Sequence, residues 1–437
     1  MGHGYIPAKT AILTHLSSDG TLNTIYGYTS SKQDEAVFYG VTSYQGYLYA
    51  VGAYENETDI YSALLVKLGI DGTIEWSIGI ACPNYGFNCY GLDTAVDSQG
   101  YIYVVGYQEL PDFPLGFIAK FDASGQPLWF LYQYSEGVYG SVLTDIDIDP
   151  STGDVYVVGM HTPGQSPSYY GDAVIIKLTS DGSTVWAKII DFFNSDTALG
   201  VDVGDDGYIY VTGKDGSTGY AFVLRMSTDG NLGWLKIIPT TVPVDPQFPQ
   251  YFNMSVSTEL APNGELIISG TVPGTDVFVL SIDPVTTEVN WGITAGALYQ
   301  NEYGRAMVIS PEAYIYLVGF SPSSTYGFGG TDAITTIISP TIGTELVWSA
   351  NPTWESVKTS TWVPTLNDPQ SYRISAPPSL YSHTATIESN VLIIADLAYS
   401  TDIAKDSNPP LPVPEIVIAA LIAGLLAAVG AIKYKRK

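Results

Sequence analysis

The stretches Asp172–Ile190, DAVIIKLTSDGSTVWAKII, and Ala198–Gly213, ALGVDVGDDGYIYVTG, decide the fold of this 437-residue chain. Each is a pair of short apolar runs folded about an Asp-Gly turn, the strongest short-range signal for a β-hairpin. Val174, Ile176 and Leu178 alternate with Ile175 and Lys177, and Tyr208 and Tyr210 alternate with Ile209 and Val211. Period two with both faces largely apolar predicts strands covered on both sides. Two hairpins make a four-stranded unit that cannot bury its faces alone, so the number of copies sets the architecture.

Hairpins of the first kind, strand–turn–strand with Trp near the end, begin at Ala11, Ala63, Phe117, Ala173, Ala221, Val277 and Ala333. All but the first carry the Trp, at Trp76, Trp129, Trp186, Trp234, Trp291 and Trp348, which puts six of the eight tryptophans at one repeat position. Hairpins of the second kind close at Gly52, Gly106, Gly159, Gly213, Gly270 and Gly319, in steps of 54, 53, 54, 57 and 49 residues, with Asp396 in the same place of a last copy. A period near 54 with four strands per unit predicts a β-propeller, whose blades leave only short edges. The copies GFIAKFDASGQPLWF, DAVIIKLTSDGSTVW and TAVDSQGYIYVVG resemble the SBBP β-propeller repeat family over residues 11 to about 400. That resemblance implies a scaffold fold and no common activity.

The expected fold is all-β, a seven-bladed propeller over residues 10–400 with four strands per blade. Six blades are continuous. The seventh is shared, with Thr384–Asp396 supplying inner strands and Ala11–Tyr26 outer ones, so N- and C-terminal strands close the ring. The same phase argues that nothing more than a signal peptide is lost upstream. Met1–Lys9 has no such signal.

A Pro-rich linker at 401–415 leads to Ile416–Ile432, 17 uninterrupted apolar residues, then the basic run Lys433–Lys437. As a helix the apolar run is about 25 Å long, just enough to cross a bilayer. The positive-inside rule puts 433–437 in the cytoplasm and the propeller outside, so the chain is expected as a single-pass protein of the plasma membrane. The tail also resembles carboxy-terminal sorting tails of prokaryotic surface proteins.

Only 14% of residues are charged, and the net charge of −27 comes from few bases. A sequence pI near 4.1 excludes nucleic acid as a partner and an anionic lipid surface as a target of the main body. Cys82 and Cys89 flank a short Pro/Asn/Gly-rich loop. A disulfide there stabilises by roughly 2 kcal/mol, and free thiols or metal ligands are the alternatives. The sequons at Asn56 and Asn253 are glycosylation candidates.

Turns within hairpins are short, whereas connections between them are long, so one end of the ring is expected to carry the binding loops. Tyr134, Tyr169, Tyr170, Tyr251, Tyr299, Trp354 and Trp362 are the candidates on that face for a glycan or protein ligand. Ala350–His383 is the largest insertion there. Asp147, Asp202 and Glu259 recur at one inner-strand position. They are candidates to hold a cation such as Ca2+, or else to bond neighbouring backbone or pair with Lys67, Lys120, Lys177 and Arg225. No other cofactor is indicated. The four histidines have no ligand spacing, and GxSxG, phosphate-loop and HExxH motifs are absent. The reading is a membrane-anchored binding or scaffolding module. The alternatives are an extracellular glycosidase, lyase or quinoprotein-like enzyme, and a lattice or filament subunit.

Overall fold

The computed structural model describes residues 11–16, 22–30, 36–55, 60–82, 86–111, 113–133, 140–162, 171–192, 196–216, 220–241, 257–271, 277–296, 303–311, 313–321, 332–338, 346–349, 358–361, 373–375, 380–383, 386–389, 392–395 and 418–422. Strands β1 (Ala11–Leu16) and β2 (Leu22–Ser30) form a first hairpin, and the next 24 strands come in fours. These are β3 (Ala36–Tyr44), β4 (Tyr47–Glu55), β5 (Tyr61–Gly69) and β6 (Ile74–Ala81), then β7 (Cys89–Val96), β8 (Ile102–Glu109), β9 (Pro114–Phe121) and β10 (Pro127–Gln133). They continue as β11 (Gly140–Ile148), β12 (Val155–Thr162), β13 (Asp172–Leu178) and β14 (Thr184–Asp191), then β15 (Thr197–Val203), β16 (Tyr208–Lys214), β17 (Tyr220–Ser227) and β18 (Leu232–Thr241). The last two groups are β19 (Ser257–Leu260), β20 (Leu266–Thr271), β21 (Val277–Ile282) and β22 (Val289–Gly296), and β23 (Tyr303–Ile309), β24 (Ile315–Ser321), β25 (Asp332–Ile338) and β26 (Leu346–Ser349).

Each group of four is an antiparallel sheet in sequence order, so every second-kind hairpin is joined to the first-kind hairpin that follows it. With the β1–β2 sheet, the described residues assort into seven sheets. The first strands of successive sheets touch in turn, from β3 to β7, β11, β15, β19 and β23. Between sheets lie apolar layers. Val105, Ile118 and Leu131 of one sheet, for example, pack on Leu143, Val157 and Val174 of the next. Burial on both faces is why the strands read as near-continuous apolar runs.

The repeat signature is the hardware of these joints. Trp186 Nε1 donates to the Thr228 carbonyl (3.0 Å), and Trp234 Nε1 donates to the Pro284 carbonyl (2.9 Å). Each bond therefore runs from the outer strand of one sheet to the outer turn of the next. Under the Trp186 ring lies Gly230, whose φ of +82° and close ring contact both favour glycine. The 54-residue glycine has a different cause. A bulge leaves Thr144 unpaired between Leu143 and Asp145 in the β11–β12 register, and the bent strand brings the Val142 carbonyl to 2.1 Å from where a Cβ on Gly159 would sit. Gly52, Gly106 and Gly213 face the same obstruction.

The closure differs from the expectation. β1 is flanked not by Thr384–Asp396 but by β32 (Ile418–Ile422), with Ile12 opposite Ile422 and Leu16 opposite Ile418. β32 also touches β3 and β24. Ile418–Ile422 lies within the apolar run read above as a membrane span, whose other residues lie outside the described ones. The segments expected as inner strands lie at outer edges instead, β30 (Thr386–Ser389) beside β6 and β31 (Leu392–Ala395) beside β2. β27 (Lys358–Thr361), β28 (Arg373–Ser375) and β29 (Leu380–His383) likewise add to β22, β14 and β10. The largest insertion thus covers sheet edges that would otherwise present unpaired backbone. Among the described residues no helix is long and apolar enough to cross a membrane.

Candidate functional site

The first strand of each group of four is an edge strand, with N–H groups that its own sheet cannot satisfy. Carboxylates of the preceding sheet supply the acceptors. Val203 N–H donates to Asp147 (2.7 Å), Leu260 N–H to Asp202 (2.8 Å) and Ile309 N–H to Glu259 (2.9 Å). These three bonds occupy equivalent register positions. A second tier joins Ile146 N–H to Asp93 (3.2 Å) and Val201 N–H to Asp145 (2.6 Å). Asp147, Asp202 and Glu259 therefore serve the backbone alternative. Their oxygens are not among the described carboxylate groups that converge within 4.8 Å.

Burial raises all five carboxyls. Asp202 and Glu259 are pushed up to about 8 and Asp147 to about 7. Asp93 and Asp145 hydrogen-bond each other, and Asp145 is the more strongly raised. Asp93 and Asp145 carry a sequence signal that motif reading passed over, an acid two residues ahead of the recurrent position.

The recurrent bases do not pair with these acids. Lys177 bonds Asp154 (2.9 Å) and Arg225 bonds Asp206 (3.1 Å), both at the tight-turn end. Lys67, Lys120, Lys177 and Arg225 each lie over a tyrosine ring, at Tyr47, Tyr101, Tyr156 and Tyr208 respectively.

At the opposite, long-loop end two features stand out among the described residues. Cys82 and Cys89 are joined in a disulfide. Beside it Tyr61, Tyr90 and Tyr107 stack in a row, with centroid separations of 5.8 and 5.2 Å. Asn88 ties the row down by accepting from Tyr61 N–H and donating to Glu109. Burial, and secondarily the Glu109 charge, raises the Tyr90 hydroxyl.

The second feature is Asp172, Asp191 and Asp196, each with a carboxylate oxygen within 4.8 Å of the others. Asp196 is fully buried, accepts from Phe192 N–H (2.6 Å) and Gly216 N–H (2.8 Å), and is pushed up to about 8 by burial. The three are 19 and 5 residues apart, and no spacing rule flags them.

Ser141, His161 and Asp172 sit opposite one another across β11, β12 and β13. They are not arranged as a nucleophile and base. Ser141 is fully buried, accepts from Gly116 N–H and donates to the Gln133 carbonyl. Burial pushes His161 down to about 4. The loop candidates Tyr134, Tyr169, Tyr170, Tyr251, Tyr299, Trp354 and Trp362, and the sequons at Asn56 and Asn253, lie outside the described residues.

No family model matches the chain, and no curated protein does. Solved structures that resemble it include a puromycin hydrolase, at 16% identity and a TM-score of 0.42 over 73% of this chain and 47% of that one. The chain thus spans about half the length of that protein. The phage phi92 endosialidase matches at 12% identity and 0.40, over 78% of this chain and 59% of that one. The periplasmic gluconolactonase PpgL of Pseudomonas aeruginosa matches at 12% and 0.42, over 84% and 99%.

Proposed function

We propose that the chain is a seven-bladed β-propeller whose long-loop face recognises a hydroxyl-rich ligand, a glycan before all others. The observation that carries this is the pairing of chemistries at that end. The half-buried Tyr61 and Tyr90, stacked on the buried Tyr107 and tied by Asn88 and Glu109, offer rigid apolar area, and the Asp172–Asp191–Asp196 group offers carboxylates. A glycan array probed with the full chain tests it. Retention of glycans by the wild type, weakened at least tenfold by Tyr61→Ala or Asp172→Asn, is expected. No retention of any glycan by the folded protein overturns the reading.

The acidic group favours a second reading, hydrolysis of the same ligand. One carboxyl raised by burial beside two others is a feature that glycoside cleavage uses. Release of reducing ends, abolished in Asp172→Asn with binding retained, distinguishes catalysis from recognition.

We further infer that the propeller is displayed outside the cell on a single-pass anchor at 416–432, on the strength of its apolar run and the basic residues after it. Ile418–Ile422 then has two competing uses, closing strand and membrane span. Extraction of the full-length protein from membranes by alkaline carbonate rather than by detergent would refute the anchor.

A further inference from the structure

We propose that the inner carboxyls are a proton-dependent clasp between blades, holding the ring tightest in acid and loosening it as pH rises through neutrality. The geometry is a chain of joints. Asp147, Asp202 and Glu259 each reach out of one first strand to accept an N–H of the next, and Asp93 and Asp145 repeat this one tier away. A carboxylate so engaged cannot swing out to water without stripping an edge-strand N–H of its acceptor.

The surroundings offer no countercharge among the described side chains. Asp93 is felt by Asp145 and Asp147, Asp147 by Asp145 and Asp149, Asp202 by Asp147, Asp145 and Asp205, and Glu259 by Asp202 and Asp147. β3 presents Gly40 against Asp93, with no charge. β23 supplies the Ile309 N–H, and its one base in sequence is Arg305, at the bulge. The recurrent Lys and Arg are engaged at the tight-turn end. Protons are then the available neutraliser. A protonated carboxyl keeps its carbonyl oxygen, so the joint's hydrogen bond survives while repulsion between neighbours disappears.

The sign follows from linkage. Burial raises these groups above their unfolded values, to about 7 for Asp147 and about 8 for Asp202 and Glu259. Their contribution is complete below about pH 4 and is lost as pH climbs to about 8. Asp196 acts in the same direction from a different place. His161, lowered to about 4, acts oppositely between about pH 4 and 6.5. The turn carboxylates Asp122 and Asp149 are lowered by hydrogen bonds that outweigh partial burial, and they lose their contribution only below about pH 4.

The test is the thermal midpoint of the full chain at pH 5, 7 and 9, at fixed ionic strength, with chelator or with Ca2+. The wild-type midpoint is expected to fall by about 5–10 °C from pH 5 to pH 9. Asp147→Asn, Asp202→Asn and Glu259→Gln together keep an acceptor oxygen at each joint and should remove at least half of that fall. Asp196→Asn, His161→Gln and Arg305→Gln serve as controls that keep most of it. A flat or rising wild-type midpoint, or an unchanged slope in the triple variant, overturns the proposal. So does restoration of the pH 5 midpoint at pH 9 by Ca2+, which would make a metal the neutraliser. Should the triple variant not fold, carboxyl-carbon NMR titration of the wild type decides, and midpoints near 4 for these groups refute the clasp.

Discussion

Replacing Gly159 with Ala tests why a glycine marks six of the seven repeats. The added Cβ would lie 2.1 Å from the Val142 carbonyl and 2.8 Å from the Leu143 Cα, both main-chain atoms of the bulged strand. Ordinary contact needs more than an ångström beyond the first distance, and no side-chain rotation relieves it. The β11–β12 ladder must open at the bulge. Loosening two buried backbone hydrogen bonds, with partial loss of satisfaction, costs about 3–5 kcal/mol. Gly207→Ala is the matched control. Gly207 has a φ of +80° with nothing near its missing Cβ, so its penalty is conformational alone, about 1–2 kcal/mol. Urea denaturation of both variants, compared at equal slope, measures the difference. If Gly159→Ala stays within about 1 kcal/mol of wild type, or costs less than Gly207→Ala, close approach is not the reason for the repeat glycine.

Trp186→Phe keeps a ring over Gly230 but loses the indole donor to Thr228, whose carbonyl still accepts from Lys177 Nζ (3.1 Å). A loss of about 1 kcal/mol is expected, against about 3 kcal/mol for Trp186→Ala, by chemical denaturation. Replacing Cys82 and Cys89 by Ser should lower stability by roughly 2 kcal/mol, the loop-closure entropy of a short ring. An unchanged midpoint in reducing and oxidising buffer would refute it.

The grouping of hairpins into sheets was legible because the Trp and Gly positions recur and because period two with both faces apolar admits few alternatives. The reason for the glycine was not. Nothing in VYVVG announces that a carbonyl from a bulge elsewhere presses on its last residue. The recurrence of the Lys and Arg makes them one of the partners the sequence offers the inner acids, beside a cation and neighbouring backbone. Recurrence gives a place in the unit without saying which end of the strand faces which neighbour, and Lys177 finds Asp154 in its own sheet. β27 to β31 are three or four residues long, too short for periodicity to register. Asp172, Asp191 and Asp196 meet only because the end of one strand and the starts of two others coincide, and that is a property of topology.

The recurrent Trp and carboxyl joints between sheets point one way. The indole of Trp186 reaches forward to Thr228 and the Asp147 carboxyl forward to Val203. Such a directional contact is heterologous, the same kind that links subunits head to tail in rings and filaments. A chain built on it has one blade face awaiting a successor and one awaiting a predecessor until the first and last sheets meet. Only closure hides both. A molecule that fails to bring β1 to its C-terminal partner strand is thus a monomer with two complementary sticky ends, and its expected fate is end-to-end polymerisation rather than simple unfolding.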